Sequence, residues 1–175
     1  GLVYALGAEG HLFCLSTDSG KVVWSHDLKK EYSTTAPLWG YAAHPLIDGD
    51  NLLTLAGGEG THIVALNRLT GQEVWRSTSS GAQGQGYCPP TIINHGGARQ
   101  LIMYKPDAVV SLDPATGKQY WSLPYEASNG SIIMSPVLSG NYLYAAGYSN
   151  KSLMMELDPA RPAAREVWRD KSNII

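Results

Sequence analysis

The sequence predicts an all-β fold, a β-propeller made of four-stranded antiparallel blades, and three observations carry that expectation. A pattern of the form small-x-Ser/Asn/Asp-x-x-Thr/Ser-Gly-Lys/Gln-x-x-Trp occurs three times, at residues 14–24, 65–75 and 111–121, and a fourth copy keeps only its ends. The fourth runs from Glu156-Leu157-Asp158-Pro159 to Glu166-Val167-Trp168, with residues 160–165 replacing the Thr-Gly turn. The tryptophans of the four copies follow one another at intervals of 51, 46 and 47 residues. That period suits one propeller blade and is too long for most helical or leucine-rich repeats. Between the tryptophans lie period-2 runs broken by turn chemistry, the mark of short antiparallel strands, and helical periodicity is nearly absent.

Residues 1–175 form one partial propeller domain of about four blades. The first blade, residues 1–28, is incomplete: it offers strands over 2–6, 11–16 and 21–26, and an inner strand is expected before Gly1. The second, 29–80, reads as an inner strand over 44–48, a tight turn at Asp48-Gly49-Asp50-Asn51, strands over 52–56 and 62–67, and an outer strand over 72–77. The third, 81–126, carries strands over 88–94, 101–104, 108–113 and 118–123. The fourth, 127–171, carries strands over 135–138, 142–146, 153–157 and 165–169.

The motif has a mechanical reading. Gly20, Gly71 and Gly117 can take the positive φ that a tight turn between the two outer strands requires, and nearby Thr, Asp or Asn side chains can bond its backbone. Trp24, Trp75, Trp121 and Trp168 are then expected to pack against the neighbouring blade, each N–H finding a backbone carbonyl. Each buries on the order of 200 Å², about 5 kcal/mol of transfer free energy as an upper bound.

Composition narrows the function classes. Hydrophobic residues make up 43% and charged residues 16% of the chain, which is ordinary for a globular protein. The formal net charge is −2 and no basic cluster exceeds Lys29-Lys30, so the electrostatic footprint of a nucleic-acid binder is missing. No apolar run approaches the roughly 20 residues that span a bilayer. The chain starts at Gly1 without Met, as a processed product or an excerpt would. Cys14 and Cys88 are expected to be independent, half-buried thiols, because two cysteines make no disulfide framework.

The motif resembles the tryptophan-docking repeat of the pyrroloquinoline-quinone (PQQ) dehydrogenase-like β-propellers over essentially the whole chain. The run from Leu38-Trp39-Gly40-Tyr41 through Gly57-Gly58-Glu59-Gly60 is similar to PQQ-like repeat proteins of planctomycete-type bacteria. The resemblance implies a ring of seven or eight blades and a periplasmic or extracellular location. Four blades in an open arc would expose two apolar faces, larger than soluble proteins normally tolerate. The remaining blades of the same polypeptide, a second copy, or closure into a four-blade ring could cover them, and the first is favoured.

The enzymatic branch of the family is expected to hold PQQ on the propeller axis with calcium or a lanthanide bound by Glu, Asn and Asp, a catalytic Asp, and often a vicinal disulfide. No residue of this chain matches those motifs, and neither a cofactor nor a metal ligand is identifiable. Glu9, Glu31, Glu59, Asp107 and Glu126 read as solvated loop charges. His11, His26, His44, His62 and His95 lack metal-ligand spacing and read as structural. Gly81-Ala82-Gln83-Gly84-Gln85-Gly86 is followed by Pro89-Pro90 and a strand, where a phosphate cradle needs a helix N-terminus. Asp48-Gly49-Asp50-Asn51 fails the calcium-loop pattern. Asn129-Gly130-Ser131 and Asn150-Lys151-Ser152 fit the glycosylation sequon.

The segments leading into the inner strands are rich in aromatic and amide side chains, and in this family they gather where the ligand binds. Trp39, Tyr41, Tyr87 and Asn129 are therefore the candidate ligand-binding residues, suited to a planar, sugar-like or peptide ligand. The expected function is that of a non-catalytic binding or assembly platform for a protein, peptide or glycan, similar in role to the propeller lipoprotein of the bacterial outer-membrane assembly machinery. The alternative is a fragment of a PQQ- and metal-dependent alcohol or polyol dehydrogenase, which would use PQQ with Ca²⁺.

Overall fold

A computed structural model describes residues 1–81, 84–148 and 151–170. The chain divides into two compact units, Gly1–Gln85 and Gly86–Ile175. The first holds a three-stranded sheet of β1 (Leu2–Leu6), β2 (His11–Ser16) and β3 (Val22–Asp27), and a four-stranded sheet of β4 (Leu46–Asp48), β5 (Asn51–Leu55), β6 (Ile63–Asn67) and β7 (Glu73–Ser77). The second holds β8 (Thr91–His95), β9 (Ala98–Lys105), β10 (Ala108–Leu112) and β11 (Gln119–Pro124), then β12 (Val137–Ser139), β13 (Tyr142–Gly147), β14 (Lys151–Leu157) and β15 (Ala164–Asp170). Every sheet is an antiparallel meander in chain order, the blade expected from the repeat.

The first strand of each four-stranded sheet is shorter or later than alternation predicts, and the cause is proline. β4, β8 and β12 each start directly after one, at Pro45, Pro90 and Pro136. Proline lacks the N–H that a ladder needs, so pairing cannot extend back through it. The strands expected from 44, 88 and 135 therefore begin at Leu46, Thr91 and Val137.

A second regularity escaped the sequence pattern. Each motif tryptophan sits at a bulge: Cys14 faces Trp24, Ala65 faces Trp75, Ser111 faces Trp121 and Met154 faces Trp168, and the register slips at the next pair. The extra residues are Val23, Val74, Tyr120 and Val167, one before each tryptophan. A bulge puts two residues against one and re-aims the side chains that follow, so the fixed spacing from turn to tryptophan encodes a direction as well as a register.

In the first unit Leu12, Leu28, Leu52, Val64 and Leu66 pack together, with Tyr4, Leu6 and Trp24 against them. Leu28 belongs to a one-turn helix, α1 (Leu28–Glu31), that period-2 reading does not foresee. Asp27 caps it by accepting the Lys30 N–H, and the Leu28 N–H donates to the Gly10 carbonyl at 3.0 Å. In the second unit Ile102, Tyr104, Val109, Trp121, Leu143, Leu153, Met155 and Leu157 form the core.

Cys14 and Cys88 are unpaired thiols, and both are fully buried where half-burial was expected. Burial pushes the Cys88 thiol up to about 12. Native protein is therefore expected to react with Ellman's reagent at neither cysteine over minutes, and with two equivalents once denaturant is added.

Candidate binding surface

The lead-in segment before β4 begins with a tight turn. The Gly40 N–H donates to the Pro37 carbonyl at 2.8 Å, which places Leu38 and Trp39 at the tip, 73% and 57% exposed. Turn tips are usually polar, and two large apolar side chains there are unusual. The turn is firmly seated. The Tyr41 N–H donates to the Ala8 carbonyl at 2.9 Å, and the Tyr41 hydroxyl donates to the Ala56 carbonyl at 3.0 Å. Gly40 (φ 76°) lies so close to Ala8 that a Cβ there would stand 2.8 Å from its carbonyl oxygen.

Tyr41 is therefore an anchor. It is 5% exposed, it covers Gly10, and burial raises its hydroxyl to about 12. That corrects its expected place on a ligand ring, because a side chain already packed and bonded offers a ligand no surface. In the second unit Tyr87 is likewise enclosed, 4% exposed. Asn129 is exposed, with φ 55°, inside a 3₁₀ turn, Ser128–Gly130. The two lead-in segments of that unit lie together, since a Cβ on Gly86 would come within 3.6 Å of the Gly130 carbonyl. Of the four candidates, Trp39 and Asn129 remain accessible. Reading for aromatics and amides missed Leu38 beside Trp39, and Ile133 and Tyr148, both exposed in the second unit. A turn signature at Pro37 to Gly40 carrying apolar residues was the signal available for Leu38.

The motif side chains are placed as follows. The Trp24 indole donates to the Arg68 carbonyl at 3.1 Å, which also accepts from the Tyr4 hydroxyl at 2.8 Å. The ring covers the following sheet's turn so closely that a Cβ on Gly71 would stand 2.9 Å from it. His26 bridges Glu31 (2.6 Å) and the Gly71 carbonyl (2.9 Å) beside it. Trp121 differs from the expectation of a backbone acceptor. Its N–H donates to Gln100 Oε1 at 2.8 Å within its own sheet, and Ser111 Oγ donates to the same atom at 2.8 Å. A buried side-chain amide on β9 supplies the acceptor instead. Trp75 is buried, and its N–H has no acceptor among the described residues. Trp168 is 39% exposed and lies on Tyr144, ring centres 6.2 Å apart.

Three of the five loop carboxylates stand in ion-pair geometry with a neighbour: Lys29 on Glu9, His26 on Glu31 and Lys105 on Asp107. Asp48-Gly49-Asp50-Asn51 is the hairpin turn between β4 and β5. Ala82 and Gln83 of the glycine-rich stretch, and Asn150 of the second sequon, lie outside the described residues. A PQQ and calcium centre needs converging carboxylate and amide oxygens. Among the described residues no group of three His, Cys, Asp or Glu side chains is placed to hold a metal ion.

A family model described as "Outer membrane protein assembly factor BamB" matches residues 1–174. The chain belongs to this family of PQQ-like propellers. Three solved structures share the fold. BamB from Moraxella catarrhalis is 20% identical with a TM-score of 0.61, over 96% of this chain and 57% of that one. Quinohemoprotein alcohol dehydrogenase from Comamonas testosteroni is 14% identical with a TM-score of 0.65, over 97% and 33%. The computationally designed Ika8 protein is 14% identical with a TM-score of 0.62, over 98% and 46%. The chain thus spans between a third and somewhat over half of these structures. A comparison with curated protein sequences found no match. No helix among the described residues is long and apolar enough to cross a membrane.

Proposed function

We propose that this chain is part of a non-catalytic PQQ-like propeller that serves as a binding or assembly platform outside the cytoplasm. The observation that carries the reading is the seated turn that holds Leu38 and Trp39 out to solvent. A rigid, exposed tryptophan contributes contact area with little ordering entropy, the property of an interface anchor. The partner it suits is a peptide or protein segment with an apolar cleft or side-chain pair. The family match, to a model described as an assembly factor, supports a protein partner and a place in the cell envelope.

Selection of displayed peptides on this chain tests the reading. Enriched peptides are expected to bind with micromolar dissociation constants that weaken at least tenfold in Trp39→Ala, with circular dichroism checking that the variant is folded. Peptides that bind Trp39→Ala equally well, or no enrichment at all, would contradict it.

A further inference from the structure

Of the asparagines in the sequence, only Asn129 precedes a glycine. The pair is chemically distinctive, because the backbone nitrogen of the following residue can attack an asparagine side-chain amide, and glycine carries no Cβ to hinder the approach. Two other asparagines have engaged side chains. Asn67 Oδ1 accepts the N–H groups of Leu69 and Thr70, both at 3.0 Å, and Asn141 Oδ1 lies 3.1 Å from His95 Nε2. They are followed by Arg68 and Tyr142, whose side chains crowd the nitrogen.

Asn129 lacks such restraints. It is exposed, and its side chain has no hydrogen-bond partner among the described residues. Its φ of 55° and ψ of 28° lie in the left-handed region, which asparagine tolerates at some cost. The turn that carries it, Ser128–Gly130, is three residues long and has no side-chain cap. The Gly130 N–H, on the nitrogen that would attack, donates to the Ala127 carbonyl at 3.3 Å, outside the usual range of about 2.7–3.2 Å. Just beyond the turn the chain is fixed again, because the Tyr148 N–H donates to the Ser131 carbonyl at 3.0 Å. Opening can therefore be confined to the turn itself.

We propose that Asn129 is a site of spontaneous deamidation, which changes the charge of the accessible surface of the second unit. The Gly130 nitrogen gives its proton to water and bonds to Asn129 Cγ, closing a five-membered succinimide, and the side-chain nitrogen leaves as ammonia. Water then adds at either ring carbonyl and breaks the bond from that carbonyl to nitrogen, leaving aspartate or isoaspartate. No oxidant or reductant is needed. The product carries one more negative charge than the −2 of the unmodified chain. Ring closure takes the Gly130 nitrogen out of its bond to Ala127, so the rate depends on opening one weakly held turn. Isoaspartate also lengthens the backbone by a methylene, which a three-residue turn absorbs only by changing shape. The inference is independent of the peptide-binding reading, which concerns Trp39.

Peptide mapping by mass spectrometry tests it, on protein kept at physiological temperature and mildly alkaline pH with a sample in denaturant as reference. The expected result is conversion of amide to acid at Asn129, as a mixture of isoaspartate and aspartate, at a rate within about tenfold of that in denaturant, since a short exposed turn opens at little cost. Asn129→Gln, which would have to close a six-membered ring, is expected to stay unmodified, with circular dichroism checking that it is folded. Asn129 that reacts more than about tenfold more slowly in the folded protein than in denaturant, or aspartate without isoaspartate, would overturn the proposal.

Discussion

Replacing Trp121 by Ala is expected to lower the unfolding free energy by about 3–5 kcal/mol, the range for truncating a large buried aromatic side chain. Trp121 is 8% exposed and packs in the core with residues of two sheets, including Leu143 and Met155. Its removal also takes a donor from Gln100 Oε1, which would keep only the Ser111 hydroxyl. Gln100 is itself fully buried, and its other atom, Nε2, donates to the His95 carbonyl at 2.9 Å. A buried amide that loses part of its satisfaction adds to the penalty. Denaturant titration with near-ultraviolet circular dichroism reads the change. A shift equivalent to less than 1 kcal/mol would mean that the indole is not a core element.

Gly96→Ala is expected to be comparably damaging by a different mechanism. Gly96 sits in the β8–β9 hairpin with φ 60°, and a Cβ there would stand 2.3 Å from the Arg161 carbonyl oxygen and 2.8 Å from that of Asp158. Both obstacles are backbone, so no side chain can swing aside. The hairpin or the loop before β15 must move, at a cost of about 3 kcal/mol or more, in addition to the left-handed strain of roughly 1–2 kcal/mol. Gly49→Ala is the control. It has a similar φ of 59° with nothing within 4 Å of the added atom, so only the strain is expected. Equal melting temperatures for the two variants would show that the close approach is absent in solution.

Much of this was legible in the sequence because the repeat states it three times in full and a fourth time in part. Turn glycines and tryptophans at constant spacing located the outer strands to within a residue or two, and three of the four sheets have the expected four strands. The prolines at 45, 90 and 136 mark the strand starts only once the ladder partners that their missing N–H cannot reach are known. The bulges were not legible, since Val23, Val74, Tyr120 and Val167 read as ordinary strand residues until their partners are known. The candidate surface was half legible for a related reason. Trp39 and Tyr41 are two positions apart and both aromatic, and only the contact of Tyr41 with Ala8, Gly10 and Ala56 separates an anchor from an exposed side chain. Such contacts come from other strands and loops, which local pattern does not contain.

The measurement that tests the platform reading most directly is a calorimetric titration of PQQ into the protein with Ca²⁺ present, followed by quinone absorbance with a panel of alcohols. No saturable binding at micromolar PQQ and no alcohol-dependent reduction of the quinone are expected. Micromolar binding with alcohol-dependent reduction would contradict it, and the protein would then be a quinone-dependent dehydrogenase.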